Sequence, residues 1–309
     1  MNTVKMNDQH GGTDYMVRIN KATLHELKCA DSDALHDAFF VNGQEVEELY
    51  IGKYAAAIYN DRAYSLPYQK ATTEITFKDA ADACAAKGPG WHMATNAEMA
   101  LLALICQRLG SIPHGNTNNG KYHGDETERG LTYDDCDILT GSGPVTWSHD
   151  HTEDGVYDLC GNIFEMCAGL KLVNGIIHVI PNNDAAINSD DGWVSLGVGF
   201  VSREGKLVLV PADLVKRDFI SGWFHEITVD PAVDAEVVSR LKAIGMVPVS
   251  DKNVGHVWLN NEGEWPLSVG GHWHNGVHAG ARAVSCDAWP WLVSTSVGVR
   301  LAFVKLKSA

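Results

Sequence analysis

The stretch from Gly270 to Arg300, GGHWHNGVHAGARAVSCDAWPWLVSTSVGVR, constrains the fold of this chain more than any other. Glycine or alanine recurs at Gly270, Gly271, Gly276, Ala279, Gly280 and Gly298. Glycine accepts positive φ and close backbone approach where other residues meet a Cβ clash. The spacing therefore predicts irregular chain pinned to a scaffold, not a free helix or a regular sheet. Between the glycines stand chemically unrelated groups: His272, His274, His278, Cys286, Asp287, Trp289 and Trp291. Binding energy concentrates in rigid aromatic anchors ringed by adaptable polar contacts, so the segment reads as a fixed backbone displaying a changeable surface. The plainer alternative is that Trp289, Pro290 and Trp291 cover a core edge. Trp273, between close-packing glycines, is expected to be buried.

The rest of the composition narrows the class. A chain of 309 residues that is 45% hydrophobic can bury one large core or two modest ones. A formal charge of −15 disfavours nucleic acid and anionic membrane as partners, and no cluster of lysine and arginine offsets it. Seven cysteines are odd in number and too sparse for a disulfide scaffold. The start, MNTVKMNDQHGGTD, has no apolar signal segment, and no run approaches a membrane span. The expectation is synthesis in a reducing cytoplasm without a signal peptide, most thiols free and no membrane insertion. A virion part released by lysis would look the same.

Along the chain, residues 1–40 are expected as an N-terminal extension. Within it LHELKCADSDALHDAFF offers one short helix or two, as an attachment or oligomerisation element. EELYIGKYAAAIYNDRAYSL reads as strands with turns at Gly52 and Asn60–Asp61. TFKDAADACAAK fits a helix with Phe77, Ala80, Ala81 and Cys84 on one side. In WHMATNAEMALLALICQRLG, Thr95 and Glu98 form a capping box ahead of a nearly all-apolar helix. Residues 110–155 read as surface loops. LKLVNGIIHVI and KLVLV, with turns at Asn174–Gly175 and Glu204–Gly205, read as hairpins. DPAVDAEVVSRLKAIG predicts a helix capped by Asp230 with Pro231 in its first turn. VGHVWL and GVRLAFVKL are strands, the second central because it is mostly apolar. Arg300 in that strand needs a carboxylate, with Glu165 or Asp158 as candidates. Asn162 and Asn275 are expected to bond nearby backbone.

Three blocks, in order, then carry a resemblance. TFKDAADACAAKGPGWHMATNAEM is similar to the helix, glycine turn and glutamate-bearing helix of the formylglycine-generating, sulfatase-modifying superfamily of C-type-lectin-like domains, with Met93–Ala94–Thr95 where a proline is usual. VYDLCGNIFEMCAG is similar to its middle signature through Asp158, Gly161, Asn162, Phe164 and Glu165, with Met166 where tryptophan is usual. GGHWHNGVHAGARA followed by GVRLAF is similar to its final block through Gly270, Gly271, Trp273, Asn275, Gly276, Ala279, Gly280, Gly298 and Arg300. More narrowly, GGxWxNGxxAG resembles the variable proteins diversified by phage and bacterial retroelements. The resemblance implies an α+β, C-type-lectin-like fold over residues 41–304, with extended loops, an inserted hairpin region at about 170–255 and a variable segment at 270–300. It implies a framework of Asp158, Gly161, Asn162, Glu165, Gly270, Gly271, Trp273, Gly276, Gly280, Gly298 and Arg300. The diversified, ligand-contacting positions it implies are His272, His274, Val277, His278, Val284, Cys286, Asp287, Trp289, Trp291, Val293 and Thr295.

The same superfamily contains oxidases with a reactive cysteine pair near the last block. Cys286 has no second cysteine beside it in the sequence, so the expectation is a protein that is not an enzyme and takes no cofactor. His272, His274 and His278 lack the carboxylate of a recognised metal motif, so no metal is expected there. NNDAAINSDDG at 182–192 lacks the spacing of a helix-loop-helix calcium site and reads as a solvated loop. The sequence thus points to a diversified ligand-binding protein, a phage tail receptor-binding or surface display protein, with a virion-associated location favoured. Its ligand is expected to be protein rather than carbohydrate. Two rivals stay open, a sulfatase-modifying-type oxidase and a structural virion protein, and so does a homo-oligomer, in which weak contacts would act together.

Overall fold

The computed structural model describes residues 2–187, 191–251, 255–288 and 293–307. The chain is a mixed α+β fold built on one branched sheet of 14 strands. In chain order these are β1 (Thr3–Asn7), β2 (Thr13–Ile19), β3 (Glu48–Ala55), β4 (Trp91–Met93), β5 (Phe164–Val173), β6 (Ile176–Val179), β7 (Val194–Arg203), β8 (Lys206–Pro211), β9 (Phe219–Trp223), β10 (Thr228–Val229), β11 (His256–Asn260), β12 (Glu264–Gly270), β13 (Gly280–Cys286) and β14 (Val297–Lys305). The helices are α1 (Phe77–Ala85), α2 (Asn96–Leu109) and α3 (Ala235–Ala243).

Strand β14 is the hub of the sheet. It pairs antiparallel with β3 and β4 and parallel with β5. Val299, Leu301, Ala302 and Val304 are all buried, the near-continuous apolar run of a strand covered on both faces. Two arms leave β5. One is the meander β6, β7 and β8, with β10 added in parallel. The other runs through β12, β13, β11 and β9, and the glycine-rich segment joins β12 to β13. The tight turns sit at Asn60–Asp61, Asn174–Gly175 and Glu204–Gly205. Both residues of each pair have positive φ, which matches the twist of the flanking strands.

Helix α2 fills the core because it is apolar on nearly every side, and its residues from Asn96 to Cys106 are all buried. Its N-terminus carries the expected capping box: Thr95 Oγ1 accepts from the Glu98 amide at 3.2 Å and Glu98 Oε2 accepts from the Thr95 amide at 2.9 Å. The other Glu98 oxygen accepts from Asn183 Nδ2 at 2.8 Å and bonds His92 Nε2 at 2.9 Å. Asn183 is therefore a buried brace, not part of the solvated loop expected at 182–192. Helix α1 begins after Thr76, whose hydroxyl accepts from the Asp79 amide.

Several expectations fail, the first being the turn at Gly52, which lies inside β3. Residues 1–40 are not an appended helical element, because β1 and β2 extend the main sheet beyond β3. The helix expected at 24–40 is replaced by turns, a bridge between Thr23 and Leu35, and one 3₁₀ turn at Asp37–Phe39. The buried Leu27 and Cys29 lie two residues apart, a spacing that a helix would turn to different sides. Lys87, fully buried, fastens this first hairpin through Asp8 at 2.9 Å and Asp14 at 2.8 Å. Helix α3 starts four residues later than expected, capped by Asp234, whose side chain accepts from the Glu236 amide. Asp230 instead pairs with Arg203 at 3.0 Å and closes a turn onto the Ala232 amide.

Candidate functional site

The glycine-rich segment is laced by backbone hydrogen bonds to the middle block of the sequence and to the loop at Thr117 and Asn119. Gly161 donates to Gly270 O at 3.0 Å, Trp273 donates to Asn162 O at 3.1 Å, Gly276 donates to Thr117 O at 2.9 Å and Asn119 donates to Trp273 O at 3.0 Å. Asn275 folds the turn on itself by accepting the His272 amide at 2.7 Å through Oδ1. Asn162 holds the loop beneath, its Oδ1 accepting from Asn116 Nδ2 at 2.9 Å and the Ile138 amide at 3.0 Å. Gly161, at φ 72°, admits no side chain: a Cβ would lie 2.0 Å from Asn116 O. Gly271, at φ 80°, backs onto Ala279, where a Cβ would meet another at 2.8 Å.

Beneath the turn lies the joint expected from the lone arginine in an apolar strand. Arg300 is fully buried, and its guanidinium grips both oxygens of Glu165, with Nε to Oε2 at 2.7 Å. It also donates to Gly52 O at 2.8 Å and Tyr157 O at 2.9 Å. Asp158, the other candidate partner, accepts the Gly141 amide at 2.7 Å instead, and burial pushes its carboxyl up to about 6. Gly298 lets β14 approach Thr72, whose carbonyl a Cβ would meet at 2.5 Å.

On this frame the displayed positions divide. His274, Val277, Val293 and Thr295 are exposed, and His272, His278 and Asp287 are half-buried. His272 lies against Phe164, with ring centroids 5.8 Å apart, and burial lowers its pKa. Val284 and Cys286 contradict the expectation of ligand contact, because both are buried. In β13 side chains alternate, and Val284 and Cys286 sit opposite Val257 and Leu259 of β11 on the face that packs into the core. Ser285, on the other face, donates its hydroxyl to Asp287, whose carboxyl is nonetheless raised by burial. Trp273 also departs from expectation: it is half-buried, not enclosed. Trp289 and Trp291 lie outside the described residues.

Residues that sequence reasoning missed complete the surface. Trp223 of β9 and His256 and Trp258 of β11 come beside His278 because β9, β11 and β13 are neighbours in the second arm. The His278 ring lies 4.9 Å from Trp223 and 4.7 Å from His256, and Phe164 meets Trp258 edge-on at 5.9 Å. Burial, then His278, pushes His256 down to about 4, so this aromatic and imidazole platform carries no charge from His256 at neutral pH. The alternation of VGHVWL was the available signal: it places His256 and Trp258 on one face. On the far side of the turn, Trp273 and Thr295 line a cleft of about 680 Å³ with the Tyr133–Asp137 loop.

Cys286 of β13 and Cys167 of β5 are both buried. Cys286 lies near enough to Cys167 to add to the burial that raises it, a neighbour that the sequence did not reveal. Burial raises both well above an ordinary thiol, which disfavours the thiolate form.

The chain matches no protein-family model and no curated protein. Among solved structures it is similar to the Major Tropism Determinant I1 variant, with 12% identity over 84% of this chain and 50% of that one and a TM-score of 0.36. It is similar to the U1 variant of the same protein, with 11% identity over 96% of this chain and 64% of that one and a TM-score of 0.36. Treponema denticola variable protein 1 is similar at 10% identity, over 97% of this chain and 98% of that one, with a TM-score of 0.39. The chain thus spans between half and two thirds of the length of these two tropism determinants. All three likenesses are remote.

Proposed function

We propose that this chain is a diversified ligand-binding protein of C-type-lectin-like fold, without enzymatic activity, that recognises a protein partner through its 270–300 segment and the platform beside it. One observation carries the reading. The turn from Gly270 to Gly280 is held by main-chain bonds, by Asn275 and by His272 Nδ1, which accepts the His274 amide at 3.2 Å, and no side-chain hydrogen bond of His274, Val277 or His278 takes part among the described residues. Such positions can change while the backbone stays. The contact set is His272, His274, Val277, His278, Asp287, Val293 and Thr295, joined by Trp223, His256 and Trp258. Rigid rings beside small adaptable groups suit a protein epitope. A receptor-binding role at a phage tail, and hence a virion-associated location, accords with the sequence resemblance. No described helix is long and apolar enough to cross a membrane.

The test is a displayed library randomised at His274, Val277, His278 and Thr295 and selected against several unrelated proteins. Folded members should dominate, and specific binders should emerge for more than one target. A library that largely unfolds, or that folds but yields no binder to any target, would sink the reading. Diversification has its own signature: a reverse-transcriptase gene beside a near-copy of the segment's coding sequence that differs at adenines.

A further inference from the structure

The cleft beside the platform has a chemistry that display alone does not use. Asp137 is only 7% exposed, yet its Oδ1 has no hydrogen-bond partner among the described residues. Such an orphan acceptor is rare in a folded protein and calls for a donor. Its loop is rigidly built, since Asp134 Oδ1 accepts the amides of Cys136 at 2.9 Å and Asp137 at 2.7 Å. Ligand atoms of Asp134, Cys136 and Asp137 lie within 4.8 Å of one another. In the same cleft, Trp273 Nε1 is a second buried polar atom with no partner among the described residues. Tyr133 supplies an aromatic face, already occupied by the ammonium of the chain's own Lys70, 4.2 Å from the ring centroid.

We propose that this cleft receives the cationic side chain of a basic segment in a protein partner. Asp137 and Asp134 are the counter-ions, Tyr133 is the cation–π face, and the Trp273 indole N–H donates to a main-chain carbonyl of the same segment. The Lys70 contact marks the place, because the cleft already draws an ammonium onto that ring. A net charge of −15 draws such a segment toward the molecule. The Cys136 thiol is pushed up to about 11 by burial and by Asp137 and Asp134, so the carboxylates supply the negative charge of the cleft. The inference rests on the ligand-binding reading only in taking the partner to be a protein.

The experiment uses the full chain, labelled with ¹⁵N, and a glycine pentapeptide amide with a central arginine, compared with its citrulline twin. The indole signal of Trp273, assigned through Trp273→Phe, should shift with the arginine peptide, which should bind at least about tenfold more tightly than the twin. Asp137→Asn should abolish that preference. Lys70→Met, which removes the competing internal cation, should tighten binding about threefold. His274→Ala with Val277→Ala should leave peptide binding unchanged, so that failure of the cleft and failure of the display surface are read separately. Equal binding of the two peptides, weaker binding by Lys70→Met, or displacement of the peptide by calcium or zinc at equimolar concentration would each overturn the proposal.

Discussion

The Arg300 joint and the turn above it differ in what their side chains are for. At Arg300 the side chain is the structure: one guanidinium links β14 to Glu165 of β5, Gly52 of β3 and Tyr157, with water excluded. At 272–278 the backbone is the structure, and His274 and Val277 project into solvent. The difference teaches that the atoms that hold the fold and the atoms offered to solvent are separate, although the two regions meet at β5, where Glu165 grips Arg300 and pairs with Val269 of β12, the strand that leads into the turn.

The comparison can be broken from the core outward. Arg300→Met strands the Glu165 carboxylate in the interior and should remove about 3–5 kcal/mol of stability, measured by chemical denaturation. A loss below about 1 kcal/mol would mean that the joint is incidental. Gly161→Ala forces a Cβ onto Asn116 O at positive φ and should cost about 2–3 kcal/mol, with loss of amide protection at Trp273 and Gly276 as its local sign. His256 gives an intermediate, pH-dependent test. Its folded pKa of about 4 lies below its ordinary 6.5, so the unfolded chain takes up the proton first. Its contribution is complete above about 6.5 and is lost as pH falls toward 4, amounting to about 1 kcal/mol once water screening of the part-exposed ring is allowed for. His256→Phe should flatten the stability profile across that window, and an unchanged slope would sink the assignment. The smallest effect belongs to the rim: His274→Ala with Val277→Ala should shift stability by no more than about 0.5 kcal/mol while abolishing ligand capture.

What could be read from the sequence was local. The Thr95–Glu98 capping box, the three hairpin turns and the arginine in need of a carboxylate are each encoded within a few residues or by one charge in an apolar run. What could not be read depends on distant pairing. Val284 and Cys286 point inward because the register of β13 is set by β11 and β12, and nothing between Gly270 and Arg300 states that register. Trp223, His256 and Trp258 join the surface for the same reason. The first forty residues were misread because scattered apolar positions without a clean period fit a helix nearly as well as strands and turns. Asp137 passed unnoticed as one acid among several in a polar loop, and only burial singles it out.

The hub strand follows the recognition segment in the chain. No copy that breaks off within 272–295 can close the sheet, because β3, β4 and β5 all await β14. A premature stop or a shifted reading frame within 272–295 therefore removes the scaffold together with the surface. The topology acts as a proofreader: only copies translated intact through that stretch reach the folded state.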